Sequence, residues 1–218
     1  MALIVKRRSP YLLRRIIIVS VAVLLVCGCV LGVLWWLSPA RQADERVQAL
    51  REATLPDYVT PDLIPTLGTA RSGRELEDFG GIVIHYVGNP ATSATANRNY
   101  FAKVGTTVVS HFVVGLEGEV IQCLPLWERS VASNNRNADT ISIEVCHPDD
   151  SGQFNAATYD AVVRLTAWLC RVGDLPVEQV IRHYDITGKE CPRYFVRNEA
   201  AWEQFLTDVQ NAKANAME

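Results

Sequence analysis

The stretch Gly81-Ile82-Val83-Ile84-His85-Tyr86 reads as a strand from the middle of a sheet. Ile82, Val83 and Ile84 are consecutive β-branched residues, so the segment has no polar face, which is the pattern of a strand covered on both sides. It closes on an imidazole, His85. Outward from it, strand and helix signals alternate. Residues 108–115 (VVSHFVVG) form a second strand, Leu116-Glu117-Gly118-Glu119 a hairpin turn, and residues 120–124 a third strand. Residues 140–146 (TISIEVC) alternate apolar and polar positions and make a fourth. Helical patterns lie at 93–104, at 156–172 and at 199–212. The second carries Val162, Leu165, Leu169 and Val172 on one face, with Asn155 as cap and Gly173 as stop. The third turns Trp202, Phe205, Leu206 and Val209 inward. The expected class is α/β, a mixed central β-sheet flanked by helices in a single domain.

A second stretch bears on chemistry. Arg182-His183-Tyr184-Asp185-Ile186-Thr187-Gly188-Lys189-Glu190-Cys191-Pro192 brings an imidazole, an ammonium and a thiol together within a few residues. With His85 it offers two histidines and a cysteine, three of the four positions of a tetrahedral Zn²⁺ site. Three protein ligands leave the fourth position open for water, the catalytic rather than the structural arrangement. The pattern points to metal-assisted hydrolysis.

The chain begins in a different physical regime. Residues 16–37 are a 22-residue run without charge. As a helix this run spans roughly 33 Å, enough to cross the hydrocarbon core of a bilayer. Lys6, Arg7, Arg8, Arg14 and Arg15 precede it, and charges of mixed sign come after it. The expectation is a single transmembrane helix with a cytoplasmic N-terminus and everything after Leu37 outside. A cleaved signal peptide is the competing reading, but its apolar region is shorter and ends at small residues. Here the run ends in Trp35-Trp36-Leu37-Ser38-Pro39.

The expected plan is a stub at 1–15, the membrane helix at 16–37, a stalk and linker at 38–78, a globular domain at 79–212 and a tail at 213–218. Residues 41–53 contain good helix formers with Ala43, Val47 and Leu50 at three-to-four spacing, and Pro56, Pro61, Pro65, Gly68 and Gly73 punctuate residues 55–73. The whole chain carries a net charge of −3, and setting aside the five N-terminal cations leaves the remainder at −8. That acidity excludes nucleic acid as a partner, because counterion release needs an excess of cations.

At this point the residues carry a resemblance. IVIHYVGNP, SHFVVGLEGEVIQ, NNRNADTISIEVCHPD and RHYDITGKECPRYF, in that order and spacing, resemble the motif blocks of the zinc N-acetylmuramoyl-L-alanine amidases. This is the type-2 amidase family, related to the peptidoglycan recognition proteins. The resemblance implies a zinc held by His85, His183 and Cys191, and a substrate amide joining N-acetylmuramic acid to L-alanine in peptidoglycan. It implies Glu144 as general base, since Ile141-Ser142-Ile143-Glu144 matches an Ile-Gly-Ile-Glu block with Ser142 replacing glycine. Lys189, two positions before the cysteine ligand, is implied as a stabiliser of the oxyanion. A tyrosine used in another branch corresponds to Ser110, so that role is absent here. His111 falls at a position the family does not use as a ligand and is assigned to structure.

The loop Asn134-Asn135-Arg136-Asn137 precedes the Glu144 strand and offers donors to a glycan or a stem-peptide carboxylate, with Asn135 and Arg136 taken as the substrate contacts. Two rival functions are a recognition module that binds peptidoglycan without cutting it and a zinc peptidase acting on the stem peptide. The complete ligand set opposes the first; the absence of an H-E-x-x-H motif opposes the second. If Cys191 binds metal, Cys123, Cys146 and Cys170 are an odd set in the head, and three buried thiols are expected.

Overall fold

The computed structural model describes residues 10–215 of the 218-residue chain, so the cations Lys6, Arg7 and Arg8 lie outside the described residues. Contacts divide the chain into two compact units, one up to Gln42 and one from Ala43 onward. The first is dominated by helix α1 (Pro10–Trp36). Within it, Arg14–Trp36 is long and apolar enough to cross a membrane, with a mean hydropathy of 3.1 over its 18-residue apolar stretch and none of that stretch buried in protein.

The second unit is built on six strands among the described residues: β1 (Val59–Pro61), β2 (Gly81–Tyr86), β3 (Phe112–Val114), β4 (Val120–Gln122), β5 (Thr140–Val145) and β6 (Val180–Arg182). They lie in the order β1-β4-β3-β5-β2-β6. The β3–β4 hairpin is antiparallel and the other pairs of these strands are parallel, so the sheet is mixed, as expected. Helices α4 (Ala156–Val172) and α7 (Glu199–Asn215) pack on one face, against Ile82 and Ile84 of β2 and Ile141, Ile143 and Val145 of β5. Alternation along a strand then sends Val83, His85, Ser142 and Glu144 to the opposite face. Helix α3 (Ala94–Phe101) covers part of that face through Ala94 and Phe101, which join a second apolar cluster with Val113 and Cys146.

The caps behave as read. The Asn155 side chain accepts the Thr158 N–H at 2.9 Å, and α4 ends at Gly173. The strand expected at 108–115 is shorter, because the Ser110 hydroxyl turns back to donate to the Phe112 carbonyl at 2.7 Å. Strands β1 and β6 have three residues each, too few to show a periodicity.

The stalk and linker expected at 38–78 require correction. Helix α2 (Pro39–Glu52) exists, but Val47 and Leu50 are buried in the main core, and from Ala43 onward the segment belongs to the head. β1 extends the sheet beside β4, with Pro61 tolerated at an edge where its missing N–H costs no ladder bond. Ile64 is fully buried in the second cluster. Arg71 then clamps the segment: its guanidinium grips both carboxylate oxygens of Glu128 at 2.8 and 2.7 Å and donates to the Ile64 carbonyl at 2.6 Å. Proline and glycine do prevent long regular elements there, but irregular backbone still carries buried apolar side chains. We expect Leu50→Ala to destabilise the head by about 2–4 kcal/mol. Urea unfolding of the full chain in detergent checks this; an unchanged midpoint would mean that α2 is a free stalk after all.

Candidate metal and catalytic site

The site forms where three parallel strands end. β5, β2 and β6 are adjacent, and His85 of β2 stands in register with Glu144 of β5. His183 comes directly after β6 and begins the short helix α5 (His183–Thr187). Clefts in open α/β sheets form at such carboxyl ends, where neighbouring strands release their chains. Gly188 ends α5 at φ 74°, a left-handed turn favourable to glycine, and sends the chain back so that Lys189 and Cys191 return to the same place. The Tyr184 N–H bonded to the Cys191 carbonyl at 2.9 Å closes this return.

The result is a cleft of about 920 Å³ lined by His85, Glu144, His183, Lys189 and Cys191. Ligand-capable atoms of His85, His183 and Cys191 all lie within 4.8 Å of one another. The orientation of the rings identifies those atoms. His85 Nδ1 faces Cys191 Sγ at 3.9 Å, while its Nε2 meets Ser133 Oγ at 3.2 Å. His183 Nε2 meets Asn134 Oδ1 at 2.9 Å, leaving Nδ1 buried with no hydrogen-bond partner among the described residues. A buried nitrogen without a partner is costly unless something else satisfies it.

The electrostatics suit a divalent cation. Burial, then the charges of His183 and Lys189, holds His85 well below the ordinary imidazole range; burial and Lys189 lower His183 as well. Both rings are therefore neutral, the form that ligates a metal. Burial, reinforced by Glu144, pushes the Cys191 thiol up to about 12, and burial pushes Glu144 up to about 8 against the pull of Lys189. Glu144 Oε2 is buried without a hydrogen-bond partner among the described residues. A cation at the junction would draw both groups back toward their ionised forms. The donor set of two imidazoles and a thiolate fits zinc.

Every ligand and catalytic candidate read from the sequence meets at this cleft. The two loop residues read as substrate contacts lie outside its lining. Asn135 and Arg136 do not line the cleft; Asn134 and Asn137 do. Arg136 is engaged by both carboxylate oxygens of Asp139, at 3.0 and 2.8 Å. The asparagine-rich run carried the signal, but which side chain turns inward depends on the short 3₁₀ turn at Asn134–Arg136. Ser133 had no distinguishing sequence context.

His111 is fully buried in a different place. Its Nδ1 accepts the Ser142 N–H at 3.0 Å, and its Nε2 donates to the Glu128 carbonyl at 2.7 Å. Cys123, Cys146 and Cys170 are free buried thiols.

The profile of the N-acetylmuramoyl-L-alanine amidase family (Amidase_2) matches residues 76–194. Among curated proteins, the chain is 30% identical over 172 residues to N-acetylmuramoyl-L-alanine amidase BlyA of Bacillus subtilis, covering 69% of this chain and 46% of that protein. It thus spans about half the length of the curated relatives it matches. Among solved structures, a mutant endolysin from Bacillus subtilis superposes with a TM-score of 0.61 at 27% identity, covering 69% of this chain and 97% of that one. The catalytic domain of XlyA gives 0.60 at 28%, covering 69% and 98%.

Burial holds His111 down to about 4. Its folded pKa lies below that of the unfolded chain, near 6.5. The stability this protects is complete above pH 6.5 and is lost as pH falls toward 4, reaching roughly 3 kcal/mol. We expect His111→Gln to flatten the acid limb of stability against pH, measured by urea unfolding, and to leave any metal binding at the cleft unchanged. An acid limb as steep as the wild type's, or loss of metal, would show that His111 has another role.

Proposed function

Because this chain belongs to the N-acetylmuramoyl-L-alanine amidase family, we propose that it hydrolyses the amide between N-acetylmuramic acid and L-alanine in peptidoglycan, with zinc held by His85, His183 and Cys191. The observation carrying this reading is the convergence of three buried, mutually close donors beside a carboxyl group that is itself buried without a partner among the described residues. Zinc held by these donors would supply Lewis acidity, which would polarise a carbonyl and lower the pKa of an attacking water.

Glu144 takes the proton from that water and returns one to the departing nitrogen. The burial that raises its pKa serves the second half of that duty, and the opposing pull of Lys189 the first. Lys189 brings a fixed positive charge to the developing oxyanion; its charge already acts on His85, His183, Glu144 and Cys191.

The apolar helix Arg14–Trp36 supports a single membrane crossing. With cations before it, the N-terminus lies in the cytoplasm and the head on the outer face, where peptidoglycan is found. Protease added to wall-stripped cells should release the head; complete protection would reverse this topology.

Incubation with purified peptidoglycan should release new amino termini of L-alanine, and a chelator should abolish the release. Amino termini of any other residue would make the protein a peptidase, and none at all a binding module. Glu144→Gln should keep about one zinc per chain while turnover falls roughly 10²–10⁴-fold. Lys189→Met should lose less, because a metal held by His85, His183 and Cys191 would share the oxyanion charge. Near-normal turnover in Glu144→Gln would place the base elsewhere in the cleft.

A further inference from the structure

The two histidines present the same nitrogen, Nδ1, toward the cleft, and this depends on what holds the other nitrogen of each ring. A neutral imidazole carries one N–H, and an acceptor placed against Nε2 keeps the proton there and leaves the Nδ1 lone pair free. Both partners come from adjacent residues of one loop: the Asn134 amide oxygen can only accept, and the Ser133 hydroxyl is able to accept. Ser133 Oγ meets His85 Nε2 at 3.2 Å and Asn134 Oδ1 meets His183 Nε2 at 2.9 Å.

The loop is shaped for that purpose. Asn134 lies at φ 53°, a left-handed conformation that side-chain-bearing residues adopt rarely and asparagine more readily than most. The Asn137 side chain bridges the approach, its Oδ1 accepting the N–H groups of Ala132 and Ser133 at 3.1 and 2.7 Å. The Arg136–Asp139 pair and the Thr140 hydroxyl, which donates to the Arg136 carbonyl at 2.6 Å, fasten the far side of the loop to β5. Ser133 is completely buried, so the contact to His85 has no competition from water.

We infer that Asn134, with Ser133 beside it, is a positioning residue of the metal site: it fixes the tautomer and orientation of His183 and thereby sets zinc affinity. The inference rests on the zinc reading above. It also explains why the loop carries asparagine at 134. The position needs both a side chain that tolerates positive φ and one that ends in an acceptor; glycine meets only the first demand, and aspartate meets both.

Those two substitutions separate a positioning role from a structural one. Zinc affinity is measured on the full chain in detergent by competition with a chromophoric chelator. Asn134→Gly keeps the backbone conformation and deletes the acceptor, and should bind zinc about 10–100-fold more weakly. Asn134→Asp keeps an acceptor and should hold wild-type affinity or exceed it. Circular dichroism and urea unfolding in excess chelator should give the same midpoint for Asn134→Gly as for the wild type. Wild-type affinity in Asn134→Gly overturns the inference and leaves the zinc reading standing. A loss in Asn134→Asp as large as in Asn134→Gly also overturns it, as does a lowered midpoint of the chelated glycine variant that accounts for the lost affinity. Absence of zinc binding in the wild type removes the metal reading and the inference together.

Discussion

The register between β2 and β5 is the constraint on which the rest of the site depends. Pairing Gly81 with Thr140 and every residue after it in step puts His85 directly beside Glu144. The same pairing puts Ile82, Ile84, Ile141 and Ile143 together on the face covered by α4 and α7. A slip of one residue would send His85 into that core and an isoleucine into the cleft. The hydrophobic effect that stabilises the sheet is thus also what aligns the candidate base with the first candidate ligand. β6, parallel to β2 on its other side, delivers His183 to the same end by the same alignment.

A carboxyl group and three donors can be buried at that end only because the surrounding polar groups are satisfied. Ser142 shows how. Its backbone N–H goes to His111, whose other nitrogen donates to the Glu128 carbonyl, while the Glu128 carboxylate holds Arg71. This chain of contacts runs from the segment between β1 and β2 to the strand carrying Glu144. Six buried side-chain atoms lack a partner among the described residues, and two of them, Glu144 Oε2 and His183 Nδ1, belong to residues of the cleft. Buried polar atoms left without partners carry a cost that structure alone does not recover, which is why such atoms mark sites of chemistry.

The segment after the apolar helix has a second consequence. Because α2, β1 and Ile64 contribute to the two apolar clusters, the folded head begins well before the residues matched by the family profile. Arg46 gripping Asp78 at 2.8 Å through two nitrogens adds a further tie across that boundary. Packed in this way, residues 43–78 are a part of the head and not a flexible tether to it.

The strands GIVIHY and TISIEV, the caps of α4 and the pair His183 and Cys191 could all be read from the sequence, because local periodicity, capping chemistry and ligand spacing are properties of neighbouring residues. The sequence likewise carried His85 and Glu144 as candidates. It did not carry the three-residue strands β1 and β6, which exist only because β4 and β2 lie beside them. Nor could it show that residues 43–78 pack onto the head, since Val47, Leu50 and Ile64 are too sparsely spaced to announce a core of their own. The choice of Asn134 over Asn135 and Arg136 depended on one left-handed turn that fixes which side chain faces inward. Those outcomes rest on contacts between residues distant in the chain, and such contacts are decided only when the tertiary structure closes.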